Sequence, residues 1–255
     1  MTTQGPQQRR GTDLLGPLMK LDGLAEAAEA ARVALGKVHR HRANLRKWPV
    51  TAAESTVRGA RSSAALDGGS AAIAETAADP ILAGALRVGD ALEGGTKNLI
   101  GIWRRAPLQA LARLHALAAA DLVEEDRLGR PRSVPEVVGR LDLMTSLVNG
   151  SSEVAGPVLA GVAHGELLAV GAFGSADGVV ARGVSRLVTI SSGLDPHGLG
   201  VPEVYWLRRS DEYRRTAEGF ATGDPHLVGT WLVFCCLALE DGAREALSIA
   251  EAAVQ

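Results

Sequence analysis

The chain has 255 residues, enough for one large domain or two small ones. With 46% hydrophobic residues and a formal net charge of −2, it is typical of a globular protein without the basic excess of a nucleic-acid-binding domain. No continuous apolar run reaches the ~18 residues of a membrane span, and the N-terminus lacks the apolar core of a secretory signal. We therefore expect a cytoplasmic protein that contacts neither membrane nor nucleic acid.

Residues 1–12 are polar, and we expect them to be disordered. The first 50 residues carry nine Lys or Arg against four Asp or Glu, and the basic stretch from Lys37 to Lys47 holds five of the nine. This surplus indicates either an acidic partner or a solvated helix face. Far along the chain, the only cysteines are the adjacent Cys235 and Cys236, whose spacing fits no metal site, so we expect buried, reduced thiols.

Helical signals follow one another along the chain. Apolar residues at three- and four-residue steps predict an amphipathic helix from Leu18 to Val38. The next segment breaks at Pro49, restarts as a helix and stops at Gly68 and Gly69. Further helices are predicted over 80–92 with Asp79 as N-cap, over 106–125, from Pro135 to Val148, from Pro157 toward Val170, and from Asp224 and Pro225 onward.

A period-2 strand pattern is hard to find. The best candidate, "LVTISS" at 187–192, is either a strand or the end of a helix. We predict an all-α fold with at most a small β-hairpin flap. It would form one compact unit, with a tail at 1–12, an N-terminal helical region at 13–98 and a core at 99–255.

A glycine-rich turn, "GAFGSADGVVAR" at 171–182, joins two apolar runs. A loop that cradles phosphate at a helix N-terminus is often written this way. The turn nevertheless contains no histidine, lysine or neutral amide side chain. It is equally typical of a helix–turn–helix corner in which Phe173 packs, Gly174 and Gly178 allow the turn, and Asp177 caps the next helix.

This turn resembles the signature of the Fic family, H-P-F-x-[D/E]-G-N-G-R-x-x-R, whose helical members move AMP from ATP onto hydroxyl groups of target proteins. Phe173, Gly178 and Arg182 match the signature. "AHGELLAV" is similar to the apolar helix that precedes it, and "LARLHALAAADLVEEDRLGRPR" is similar to the family's Leu-His helix and Gly-x-x-Arg turn. With the C-terminal helices, the resemblance spans residues 50–250 and implies a Fic-like helical bundle.

Four departures from the signature alter its chemistry. Gly171 replaces the histidine that acts as general base, and glycine moves no proton. Ser175 replaces the acidic residue that helps to hold the metal, and a lone hydroxyl is a poor Mg²⁺ ligand. Asp177 replaces an asparagine and places a negative charge beside the phosphates, where unit charges ~4 Å apart repel by ~4 kcal/mol. Val179 replaces the first phosphate-binding arginine.

A second short motif extends the resemblance. Regulated Fic proteins carry an inhibitory helix, [S/T]-x-x-x-E-[G/N], whose glutamate pairs with the last arginine of the signature. "SAALDG" supplies Ser63, Asp67 and Gly68, with aspartate in place of glutamate. The resemblance implies that Asp67 pairs with Arg182.

No histidine is placed to replace the missing base. His164 lies seven residues before Gly171, two helical turns or ~10 Å away, and is expected to be a core histidine, like His115. We expect the remaining four histidines to lie at the surface: His39, His41, His197 and His226.

The sequence therefore predicts a catalytically inactive Fic-like pseudoenzyme that acts by binding or regulation. We expect no metal and no cofactor, ATP with Mg²⁺ being disfavoured, and an unidentified protein partner, with a homodimer also compatible. One alternative is a Fic-fold protein that binds a nucleotide or small anion with altered activity. Another is a nucleotide-dependent oxidoreductase in which Asp195, about 20 residues beyond the turn, contacts a ribose.

Overall fold

The computed structural model describes residues 13–70, 79–93, 96–150 and 154–254, and within these ranges it contains helices and no strand. The predicted all-α fold is confirmed, while the tail predicted at 1–12 lies outside the described residues. The helices are α1 (Leu24–Arg40), α2 (Asn44–Leu66), α3 (Pro80–Glu93), α4 (Thr96–Arg105), α5 (Pro107–Ala118), α6 (Pro135–Val148), α7 (Gly156–Val170), α8 (Asp177–Ser191), α9 (Pro202–Arg208), α10 (Ser210–Ala221) and α11 (Pro225–Ala252).

Aspartate–proline pairs begin two of these helices as predicted. Asp79 accepts hydrogen bonds from the amides of residues 81 and 82 at 2.9 Å, and α3 begins at Pro80. Asp224 accepts from the amides of residues 226 and 227 at the start of α11. In each case the proline ring fixes a helical φ at a position whose amide would have no partner inside the helix.

Three predicted boundaries are displaced. The helix predicted over 106–125 is shorter, because α5 ends at Ala118. The helix predicted from Leu18 begins as a 3₁₀ helix, Gly16–Lys20, and α1 follows only after Gly23, whose φ of 70° no continuous helix accepts. The break predicted at Pro49 is present but falls at Lys47, whose non-helical φ of −124° and ψ of 21° separate two helical segments of α2. A proline removes a hydrogen bond to the preceding turn, so the distortion falls before it rather than at it.

Helices α7 and α8 lie in the core of the fold. Ten of the fifteen residues of α7 and eleven of the fifteen of α8 are buried. The candidate strand at 187–192 is the last turn of α8, because its apolar residues pack into this core as a helix. One apolar cluster joins α2, α3 and α5 to α7 and α8, so it contains residues from both sides of the predicted boundary at 98.

Helix α11 contains an 18-residue window with mean hydropathy 1.2, so by length and composition alone it could cross a membrane. About 56% of that window is buried inside the fold, as expected of a core helix. Cys235 and Cys236 lie in this helix, buried and unpaired as predicted. Burial raises the pKa of Cys236 to about 12 and holds that of Cys235 well above its usual value.

Candidate functional site

The loop between α7 and α8, residues 171–176, turns through left-handed backbone at both ends. Gly171 ends α7 with φ 52° and ψ 54°, and its amide donates to the Leu167 carbonyl at 3.0 Å. Ala176 precedes α8 with φ 52° and is the one non-glycine residue of positive φ in the described chain. The predicted helix–turn–helix corner is therefore present, and position 171 has a conformation that favours glycine.

The carboxylate of Asp177 fills the inside of this loop. Its Oδ1 accepts from the Phe173 amide at 2.9 Å and its Oδ2 accepts from the Gly174 amide at 2.8 Å. Asp177 was expected to cap the next helix, but it is itself the first residue of α8, and its side chain reaches back because Ala176 reverses the chain. Burial raises its pKa, against the two hydrogen bonds that favour the charged form. The two loop amides thus already bind an anion, which belongs to the chain.

Arg132 holds the other side of the loop. Its Nε donates to the Gly171 carbonyl at 3.0 Å and its Nη2 donates to the Val170 carbonyl at 2.7 Å. These carbonyls end α7, where a cation interacts favourably with the helix dipole. Arg132 is the arginine of the Gly-x-x-Arg turn, and no motif indicated its partners in advance.

His115 on α5 contacts two residues of the loop, Phe173 and Ser175. Its ring stacks on Phe173 with centroids 4.1 Å apart, and its Nδ1 accepts from the Gly129 amide at 2.9 Å. The ring proton must then lie on Nε2, which donates to the Ser175 hydroxyl at 3.1 Å. Burial lowers the pKa of His115. His115 is the core histidine expected, and Ser175 serves as its hydrogen-bond partner.

Arg182 is buried, with 2% of its side chain exposed, and all its described partners come from distant parts of the chain. Its Nε donates to the Ser63 hydroxyl at 2.7 Å and its Nη2 donates to the Ser63 carbonyl at 3.0 Å. Its Nη2 also lies 2.8 Å from Oδ2 of Asp67, whose side chain is 26% exposed. The structure thus brings Ser63, Asp67 and Arg182 together, and we call this group the clasp.

The Asp67 carboxylate of the clasp packs directly against the backbone of α8 at Gly178. A Cβ atom added to Gly178 would overlap both carboxylate oxygens of Asp67. Gly68, with φ 85°, reverses the chain after α2 so that Asp67 ends that helix facing α8. Val179, which stands where the family has an arginine, is buried in the apolar core.

Tyr213 on α10, which no sequence motif indicated, links the clasp to His164. The Tyr213 hydroxyl accepts from Nη1 of Arg182 at 3.2 Å and lies 2.8 Å from Nε2 of His164. Burial raises the pKa of Tyr213 to about 12. Burial, and next the charge of Arg182, hold the pKa of His164 well below its usual value. His164 is fully buried, as expected, with its ring among aromatic side chains of α9, α10 and α11.

Two histidines expected at the surface are packed instead. Nε2 of His39 lies 2.8 Å from Oδ1 of the buried Asp195, and the His197 ring stacks on Trp48 at 4.1 Å. Asp195 also accepts from the amides of residues 199 and 200 at 2.9 and 2.8 Å. It therefore holds a loop together and is not free to contact a ribose. His226 is exposed as expected, and His41 is half-buried.

The fold is similar to that of a solved structure, a Fic family protein from Desulfovibrio desulfuricans G20. The similarity covers 89% of this chain and 74% of that chain, with a TM-score of 0.65 and 16% sequence identity. The chain has the Fic fold. No protein-family model and no curated protein matches it.

The Fic fold excludes one alternative. A nucleotide-dependent oxidoreductase of the doubly wound type requires a parallel sheet, whereas the described residues of this chain form helices alone. Those residues also contain no cluster of three or more His, Cys, Asp or Glu side chains that could hold a metal ion. The donors of the 171–176 loop and of the clasp, two backbone amides and the Arg182 guanidinium, are already bound to carboxylates of the chain.

Proposed function

We propose that this chain is a catalytically inactive Fic-fold protein, a pseudoenzyme that acts by binding or regulation and transfers no AMP. The observation that carries the proposal is that carboxylates of the chain already bind the donors of the site. Asp177 accepts hydrogen bonds from the amides of Phe173 and Gly174, and Asp67 forms an ion pair with Arg182. A phosphate group would need these same kinds of donors, and each already has a charged partner.

Neither position 171 nor the two histidines of the described region around the loop can abstract a proton from a target hydroxyl. Gly171 carries no side chain, and its φ of 52° would strain any histidine placed there. His115 uses both ring nitrogens, one for the Gly129 amide and one for the Ser175 hydroxyl. His164 is fully enclosed, so no target hydroxyl reaches it.

Anion binding is opposed by charge and by space. A phosphate ~4 Å from the Asp177 carboxylate would be repelled by ~4 kcal/mol at an effective dielectric constant of ~20. The cavity beside Arg182, lined mainly by α2, α3 and α8, measures about 20 Å³, which is room for a water molecule but not for a nucleotide. ATP would first have to displace Asp67 from Arg182.

Label transfer tests the proposal. Wild-type protein and Asp67→Ala are incubated with Mg²⁺ and ATP labelled on the α-phosphate, alone and with cell lysate. Asp67→Ala removes the contact that would restrain an active family member, yet neither protein should label itself or other proteins, because Gly171 still provides no base. Stoichiometric label that survives denaturation would overturn the proposal.

Thermal stability in Mg-ATP tests the binding side. A ligand present at ~100 times its Kd adds ~2.7 kcal/mol to the free energy of unfolding, an easily measured shift in Tm. We expect no shift for the wild type at millimolar Mg-ATP. The matched variant Asp177→Asn keeps the shape of the side chain and removes its charge. A Tm shift in this variant alone would mean that the charge of Asp177 is what prevents Mg-ATP from binding. A wild-type shift that ADP competes away would favour the anion- or nucleotide-binding alternative.

A further inference from the structure

A cavity of about 420 Å³ lies where α1 ends and α2 begins, beside the end of α11. It lies within the size range of protein ligand pockets. We call it the basic cavity, and its lining is half cationic and half apolar: Arg42, Arg46 and Lys47 with Ala43, Leu45 and Val254. None of these residues belongs to the 171–176 loop or the clasp, so the inference does not rest on the proposed function.

The three cations of the basic cavity have no carboxylate partner among the described residues. The surrounding sequence explains this, since residues 30–53 contain six Lys or Arg and no Asp or Glu. Arg32 at the start of this stretch and Arg58 just beyond its end do form ion pairs, with Glu29 and Glu54 at 2.6 Å. Arg42, Arg46 and Lys47 therefore concentrate positive charge at one corner of a chain whose net charge is −2.

Exposed aliphatic side chains accompany these cations. Leu45 is 68% exposed and Val50 is 63% exposed, among the most exposed large apolar residues of the described chain. Burying an exposed aliphatic side chain and pairing a free cation each lower the free energy, and a partner surface that is both apolar and anionic does both at once. The complementary surface thus carries carboxylates interrupted by aliphatic side chains.

The geometry points to the basic cavity as a docking site for an acidic, leucine-containing segment of a partner protein. Carboxylates of the segment pair with Arg42, Arg46 and Lys47, and an aliphatic side chain enters between Leu45 and Val254. A concave site favours a peptide over the flat surface of a bilayer. Single-stranded nucleic acid would need an aromatic platform. The nearby Trp48 ring is already stacked on His197 at an interplanar angle of 9°.

Fluorescence anisotropy with a labelled peptide of Glu-Glu-Leu repeats tests this site in the full chain. We expect saturable binding, weaker binding to Glu-Glu-Ser repeats, and none to Gln-Gln-Leu repeats. The triple variant Arg42→Ala/Arg46→Ala/Lys47→Ala should lose about tenfold or more in affinity, and Leu45→Ser should lose several-fold. Salt at about 1 M, where the Debye length is ~3 Å, should abolish binding.

The matched control is Arg113→Ala/Arg214→Ala/Arg215→Ala, which removes three exposed cations elsewhere on the surface and makes the same change in net charge. It should bind the peptide as the wild type does, and circular dichroism should show all variants folded. No saturable binding up to about 1 mM peptide, or equal losses in both triple variants, would overturn the proposal. Tighter binding to a single-stranded oligonucleotide or to phosphatidylserine vesicles, lost in the same triple variant, would overturn it in favour of that other class.

Discussion

Asp67→Ala should destabilise the fold by about 2 kcal/mol. Its partner Arg182 is 2% exposed, whereas the Asp67 side chain is 26% exposed, so the pair lies between two known cases. Removing one partner of a fully buried pair costs ~3–5 kcal/mol, and exposed pairs contribute ~0–1 kcal/mol. The guanidinium keeps the Ser63 hydroxyl, the Ser63 carbonyl and the Tyr213 hydroxyl as acceptors, which keeps the cost below the upper range.

Arg182→Ala should cost more, about 3–5 kcal/mol, because it removes a large buried side chain and leaves Ser63 and Tyr213 with one partner fewer. In the double variant the carboxylate and the guanidinium are lost together. Its destabilisation should therefore be smaller than the sum of the two single losses, by about 1–2 kcal/mol.

Urea unfolding followed by circular dichroism measures all four corners of this cycle. A second cycle on Glu29 and Arg32 is the control, since these residues form an ion pair on α1 with side chains 57% and 61% exposed. Its coupling energy should stay below about 0.5 kcal/mol. Additivity of the Asp67 and Arg182 variants to within about 0.3 kcal/mol would refute the clasp, even if each single variant were unstable.

Three further predictions concern the same region. The pKa of His164 lies well below 6.5, so only the unfolded chain gains this proton in acid, and stability should fall below pH 6.5 by up to about 1.4 kcal/mol per pH unit. Urea unfolding as a function of pH should show that this part of the slope is lost in His164→Gln and kept in the exposed control His226→Gln. Gly178→Ala should displace Asp67 and cost about 1–2 kcal/mol, but much less in the Asp67→Ala background; equal costs in both would contradict the contact. Gly171→His should cost about 1–3 kcal/mol in unfolding experiments, because φ is 52° there, and should restore no label transfer.

Local signals were sufficient to predict much of the fold. Asp79 and Asp224 each precede a proline, and a capping carboxylate followed by a fixed φ begins a helix regardless of tertiary context. The pairing of Asp67 with Arg182 was also predictable, because the resemblance to the Fic family placed a regulatory motif and a signature arginine in the same chain.

The remaining contacts depend on backbone reversals and on distant residues, which no local pattern encodes. Asp177 reaches back to Phe173 because Ala176 adopts a left-handed conformation that alanine rarely takes. Tyr213 is separated from Arg182 by 31 positions, and only the packing of α10 against α7, the neighbour of α8, brings them together. For these reasons the sequence wrongly predicted Asp177 as the cap of the next helix and did not indicate a role for Tyr213.

Two carboxylates near the start of α8, those of Asp67 and Asp177, have a combined consequence. A site that binds phosphate keeps donors free until the ligand arrives, whereas in this folded chain Asp177 and Asp67 already bind the donors. A histidine at position 171 would restore the base but leave both carboxylates in place. Removal of the Asp67 carboxylate would free Arg182 but leave Asp177 bound to the loop amides. Because each obstacle is independent, no single substitution at these three positions should create a nucleotide-dependent activity. The binding role that we propose therefore relies on the surface, where Arg42, Arg46 and Lys47 lie beside the exposed Leu45.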